Sequence, residues 1–232
     1  MVNILSAGAC KGLFQALFPN RLASGKVMAS FGAVGAMREK LLAGEACDVL
    51  VLTLPMLEAL AIEGWVVAST ITELGSVGCG IAISNKLKSV PDVSEEAVLS
   101  ANLLAATAIH FPDPAKATAG IHFQSVLERL GVFDEVAKRC QHYPNGAAAM
   151  ASLAKNESKF GDLQVGCTQI SEILYTKGLK LVGELPMPFH LRTIYAAALT
   201  PAGAESTRAQ KMLKKLTSSK TQTLRKKGGF LL

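Results

Sequence analysis

Four short stretches of small residues stand where a helix should begin: Ser6–Gly12, Phe31–Ala36, Thr118–His122 and Asn145–Ala147. The start of a helix presents backbone N–H groups without intrahelical partners and the positive end of the macrodipole, so each can hold an anion. Small side chains let a ligand approach that backbone closely. Every α/β protein has such turns as ordinary connections. Four of them, two in each predicted lobe, also fit an anion held between lobes. The candidate ligand residues are Ser6, Ala9 and Lys11 at the first turn and Ala33, Val34 and Gly35 at the second. Ala119 and Gly120 stand at the third, Asn145 and Gly146 at the fourth.

His122 lies in the first turn of its helix, where it is either a ligand donor or general base near neutral pH, or a ring packed beside Phe123. Lys11 either pairs with a ligand carboxylate or is solvated, and Arg38 offers the same choice one turn inside its helix. Cys10 and Cys167 flank predicted binding turns and read as small buried hydrophobes. His110, His142 and His190 read as structural or exposed.

Other chemistries lack their signatures. Neither Gly8–Gly12 nor Gly32–Gly35 matches a Walker A or dinucleotide fingerprint, and there is no Gly-x-Ser-x-Gly elbow. No Asp/Glu/His cluster offers metal ligands, so neither a metal nor a cofactor is expected. The five cysteines, Cys10, Cys47, Cys79, Cys140 and Cys167, are scattered without CxxC or zinc spacing and are expected as reduced, mostly buried thiols.

These turns need strands and helices to carry them. The chain has 232 residues, half of them hydrophobic and 18% charged, which excludes a disordered chain and allows a sizeable core. Mean hydropathy is high at +0.31, yet no apolar run reaches the roughly 18 residues that cross a bilayer. The hydrophobicity comes in short runs broken by glycine, as in buried strands of an α/β sheet. Strands are expected at Val2–Ser6, Lys26–Phe31 and Asp48–Leu54, each followed by a helix, which predicts a parallel sheet. Further strands are expected at Gly78–Ile83, Leu103–His110, Leu163–Cys167, Leu179–Gly183 and Thr193–Leu199. A helix over Ala119–Leu130 has Phe123, Val126, Leu127 and Leu130 on one apolar face.

The net charge of +6 has one source. Eight basic residues follow Arg208 inclusively, and no acid follows Glu205. The first 207 residues carry 16 basic against 18 acidic groups. The basic stretch, with Met212, Leu213 and Leu216 as an apolar stripe, is either a surface for an anionic partner or the solvated face of a terminal helix. With aromatics at only 6%, nucleic acid is not expected as the partner.

Several motifs occur in a familiar order. They are Leu5-Ser6-Ala7-Gly8-Ala9, Ser30-Phe31-Gly32-Ala33-Val34-Gly35-Ala36, Leu42-Ala43-Gly44-Glu45-Ala46-Cys47-Asp48-Val49 and Glu63-Gly64-Trp65-Val66-Val67. With Ala119-Gly120-Ile121-His122-Phe123, Gln169-Ile170-Ser171-Glu172-Ile173 and Lys226-Lys227-Gly228-Gly229-Phe230, the chain resembles the periplasmic molybdate-binding protein family over nearly its whole length. The resemblance implies a type II periplasmic-binding-protein-like α/β fold with two lobes, two crossover strands and an anion in the inter-lobe cleft. Lobe I is expected to be residues 1–77 plus 200–232, lobe II residues 85–191, and the crossovers 78–84 and 192–199.

In that family's molybdate binders, serine hydroxyls from the first two turns, amides of the second lobe and a tyrosine hydroxyl hold the oxyanion. The resemblance sets Ala9 and Ala33-Val34 at the serine positions, Thr168 or Gln169 near the tyrosine, Ala119 at the amide donor and Asn145 at an apolar position. A bare oxyanion would find few hydroxyl donors there, which favours an organic polycarboxylate. The function expected is binding of a small anion, an oxyanion or an organic acid, as in solute-binding proteins of ABC transporters. The alternative is an aconitate isomerase-like enzyme, similar in its Ser-Ala-Gly-Ala opening and Gly-Ile-His-Phe segment, with His122 as the catalytic base. The N-terminal residues show no signal peptide, so the expected place is the cytoplasm, or the periplasm with an ABC permease as partner if a leader was trimmed.

Overall fold

The structure is a computed structural model that describes residues 1–155 and 162–232. β1 (Val2–Ala7) leads through a 3-10 turn into α1 (Lys11–Leu17) and α2 (Pro19–Ala23). β2 (Val27–Gly32), α3 (Val34–Leu42), β3 (Val49–Thr53) and α4 (Leu54–Ile62) follow, then the long β4 (Thr72–Ser84). Next come α5 (Glu96–Ala105), β5 (Ala108–Pro112), α6 (Thr118–Arg129), α7 (Phe133–Val136), β6 (Cys140–Tyr143) and α8 (Gly146–Lys155). β7 (Gln164–Gln169), α9 (Ile170–Tyr175), β8 (Leu179–Glu184), β9 (Arg192–Leu199), α10 (Pro201–Ala204), α11 (Thr207–Thr217) and α12 (Gln222–Lys227) complete the chain. It divides into unit 1, Met1–Val77 with Thr193–Leu232, and unit 2, Gly78–Arg192.

In unit 1, β1 lies parallel between β2 and β3, with Leu5 opposite Ser30 and Leu50. β9 closes this sheet antiparallel to β3, Val49 opposite Leu199. Val49, Leu50, Val51 and Leu52 are fully buried, as a strand covered on both faces must be. Phe14 packs beneath the sheet, its ring 5.9 Å from Phe18 and 5.7 Å from Phe31. Unit 2 repeats the plan. β5 lies parallel between β6 and β7, β4 pairs antiparallel with β7, and β8 pairs antiparallel with β4. Phe123, Val126 and Leu127 on α6 are buried as expected, Leu130 caps the helix half-buried, and Phe123 meets Phe111 edge to face at 5.2 Å.

Three local expectations change. The strand expected at Leu103–His110 begins only at Ala108, because Leu99 and Leu103 bury one turn apart on α5, which runs to Ala105. An unbroken apolar run does not by itself distinguish a helix end from a strand. The short β6, with Gln141 and His142 exposed, carries no alternating pattern and forms by pairing with β5. Arg225, expected on a solvated basic face, is buried. Its guanidinium donates to the carbonyls of Leu74 (2.8 Å), Ser218 (3.3 Å) and Thr217 (3.4 Å), tying α12 to β4 and to the end of α11.

His110 sits fully buried on β5, its Nδ1 3.0 Å from the Tyr143 hydroxyl and its Nε2 3.2 Å from Gln164 Oε1. Burial holds its pKa below the usual histidine value. The folded state therefore binds fewer protons than the unfolded chain, and stability falls as pH drops through the unfolded value of about 6.5. Urea unfolding from pH 7.5 down to 5 should show this loss, with a slope from this group of at most about 1.4 kcal/mol per pH unit. His110→Gln should be less stable at pH 7.5 yet lose part of that slope. Equal slopes in the two proteins would remove His110 as the cause.

Candidate functional site

The carboxyl edge of the unit 1 sheet is built first. β1 and β2 end level, Ala7 opposite Gly32, and both pass directly into helical turns. Sites in parallel α/β sheets lie beyond such edges. Ala33 occupies the cap of α3 with φ −59° and ψ 145°, and it has no side-chain oxygen to accept from the helix. The first amide to find a helical carbonyl is Met37 N–H, which donates to Ala33 O at 3.1 Å. The amides of Val34, Gly35 and Ala36 thus belong to the uncapped first turn. Val34 is buried, whereas Ala33 and Gly35 are half-buried at the surface of the edge.

The first turn offers little besides backbone. Ser6 is fully buried and its hydroxyl donates to the Ala7 carbonyl at 3.1 Å. Ala9 is buried and Lys11 half-buried at the first position of α1. Arg38 points elsewhere, 3.9 Å from Glu63 in an exposed pair.

In unit 2 the two expected turns differ. Ala117 caps α6 without a side-chain bond, and Ile121 N–H is the first to bond back, to Ala117 O at 2.9 Å. Ala119 and Gly120 are buried. A Cβ on Gly120 would run into the carbonyl oxygens of Pro112 and Asp113, so only glycine lets the start of α6 lie against the end of β5. His122 is half-buried, and its Nε2 lies 2.8 Å from the Phe189 carbonyl oxygen. That oxygen can only accept, so Nε2 carries a proton and the ring is held by a bond to the backbone.

The α8 turn is compensated from within. Asn145 Oδ1 accepts from Ala148 N–H at 2.9 Å, an N-cap. Against Gly146 lie the Glu172 carboxylate and the Thr168 hydroxyl, and Thr168 Oγ1 donates to Glu172 Oε2 at 2.6 Å. Glu172 is only 5% exposed, so unit 2 keeps a carboxylate of its own beside the positive end of α8. Thr168 and Gln169 are both buried at the end of β7. Glu172 was not among the expected site residues. Its only sequence signal is an acid in the first turn of a short helix, and Gly146 is distant from it in sequence.

Burial pushes the Cys47 thiol up to about 12 and that of Cys140 to about 11, and it raises Cys79 and Cys167 further, so none is a thiolate near neutral pH. Among the described residues no group of three His, Cys, Asp or Glu side chains could hold a metal ion, and no helix is long and apolar enough to cross a membrane.

Residues 2–231 match the family of bacterial extracellular solute-binding proteins. The chain belongs to this family. Solved structures agree with it in fold. The periplasmic molybdate-binding protein of Azotobacter vinelandii is 18% identical with a TM-score of 0.77, covering 100% of this chain and 99% of that one. The sulfate-binding protein SubI of Mycobacterium tuberculosis is 15% identical with a TM-score of 0.68, covering 99% and 85%. PEB3 of Campylobacter jejuni, with L-phospholactate bound, is 16% identical with a TM-score of 0.67, covering 100% of both. No curated protein matches the sequence. This solute-binding protein therefore has the type II periplasmic-binding-protein-like α/β fold that its sequence motifs imply.

In this solute-binding protein the two backbone approaches at Gly120 and Gly146 are strict. Gly120→Ala should cost about 3 kcal/mol, because rigid carbonyls must move, and Gly146→Ala should cost about 1–3 kcal/mol through displacement of Glu172 and Thr168. Urea midpoints measure both. Wild-type stability in Gly120→Ala would mean that α6 does not start where it is placed.

Proposed function

We propose that this protein is the solute receptor for a small organic anion. The carrying observation is the α3 start, where an alanine cap leaves first-turn amides uncapped at the carboxyl edge of a parallel sheet. Within unit 2, the α6 start is likewise left without a side-chain cap by Ala117. The similar structures are named for molybdate and sulfate or hold phospholactate, which supports an anionic solute.

The kind of anion follows from what surrounds the amides. Ser6 gives its hydroxyl to its own neighbour's carbonyl, and Ala9, Ala33 and Val34 have none. A bare tetrahedral oxyanion would exchange its hydration shell for too few donors, and unmet charge is costly. A polycarboxylate can place carboxylates on the amides and its carbon skeleton against alanine and valine. Glu172 already lies beside the start of α8, so that turn favours no solute carboxylate. The isomerase alternative rests on His122 alone, whose Nε2 proton is held by the Phe189 carbonyl and whose basic nitrogen is therefore Nδ1. A receptor of this kind hands its solute to an ABC permease, and the family description supports work outside the cytoplasmic membrane.

The test is a thermal-shift series with citrate, cis- and trans-aconitate, molybdate, sulfate and phosphate, with glycerol as the neutral control. A solute at 100 times its Kd adds about 2.7 kcal/mol, a rise of roughly 5 to 10 °C for a chain this size. Tricarboxylates should give this shift. Ala33→Asp should raise the Tm of the free protein, because aspartate caps α3 by about 1 kcal/mol, while abolishing the shift by placing a carboxylate on the site. A shift with molybdate alone would overturn the organic-anion assignment, and no shift with any anion would overturn the receptor reading.

A further inference from the structure

We propose that the C-terminal face of unit 1, made by α11, α12 and the closing Leu231-Leu232, docks on an anionic lipid bilayer. The charge of the protein is sharply divided. Unit 1 carries 13 basic against 7 acidic residues, unit 2 carries 11 of each, and the whole net charge of +6 therefore belongs to unit 1. Its source is the stretch after Glu205. Two of the eight cations there have other work: Arg225 is buried against carbonyls, and Lys215 donates to Leu17 O at 3.2 Å with its ammonium 5.0 Å from the Phe18 ring. The other six, Arg208, Lys211, Lys214, Lys220, Lys226 and Lys227, are exposed. Arg208, Lys211 and Lys214 cannot turn inward, because Ala209, Met212, Leu213 and Leu216 fill the inner face of α11.

Charge alone would suit any polyanion. The second observation is apolar. Leu231 and Leu232 are about half exposed, and together with Ile194, Glu73, Gln222 and Arg225 they line a surface depression of about 330 Å³. Leu224 is also exposed and stands one turn before Lys227 on α12. Exposed lysines and exposed leucines on one short C-terminal segment match the zone where lipid phosphates meet acyl chains. A nucleic-acid backbone would use the lysines and leave the leucines wet. The stretch also has no stacking platform for bases, since Phe230 is buried against Tyr195, ring centroids 6.5 Å apart.

Flotation of the full chain with phosphatidylcholine vesicles containing about one-third phosphatidylglycerol tests this, against pure phosphatidylcholine vesicles. Binding should require the anionic lipid and be lost at high salt, where screening shortens to a few ångström. Lys220→Glu, Lys226→Glu and Lys227→Glu together should lower partitioning about a hundredfold, at about a tenfold loss for every 1.4 kcal/mol. Leu231→Ser with Leu232→Ser should weaken binding at low salt while keeping its salt dependence. All these side chains are exposed, so Tm and any solute-induced shift should stay unchanged in the charge variant. Equal binding to both vesicles, no binding at low salt, or capture of a duplex oligonucleotide with vesicles ignored would overturn the proposal.

Discussion

At the carboxyl edge of the unit 1 sheet, β1 and β2 end level and the chain enters its helices with no side chain able to cap α3. Backbone amides at that edge need a partner that the alanine and valine side chains cannot be. β1 and β3 beside that edge are almost wholly buried, so the sheet cannot shift to satisfy its donors without opening the core. A small anion is the partner such a frame favours. The same device appears on α6, where contact between the Gly120 backbone and the end of β5 sets the helix start.

The compensated turn matters as much as the open ones. Glu172 and Thr168 lie against Gly146 and Asn145 caps α8, so one of four similar-looking helix starts holds a carboxylate of its own. A helix N-terminus is thus a potential site whose availability depends on what the fold brings beside it. Arg225 makes the same point with the opposite charge. It lies within a basic run, yet three backbone carbonyls hold it in the interior of unit 1. Its exposed neighbours Lys226 and Lys227 keep their charge at the surface.

The fold class was legible because burial leaves a mark on composition. Val49–Leu52 reads as a doubly covered strand, and Phe123, Val126 and Leu127 read as one helix face, and both are so. Family motifs such as Ser30–Ala36 carried the identification further than periodicity could. Local boundaries failed where two patterns coincide, as in the apolar run after Leu103, or where a strand exists only through its neighbour, as with Cys140–Tyr143.

By itself, then, the sequence determined the alternation of strands and helices, the family, and the location of its excess charge, because these depend on residues near one another in the chain. Tertiary structure alone decided which helix start is already paired with a carboxylate, that the His122 proton goes to Phe189, and that Arg225 is interior. Each of those depends on a contact between residues 26 to 151 positions apart, counting from Gly146 to Glu172 and from Leu74 to Arg225. Only the packed chain brings such groups within the few ångström over which hydrogen bonds act.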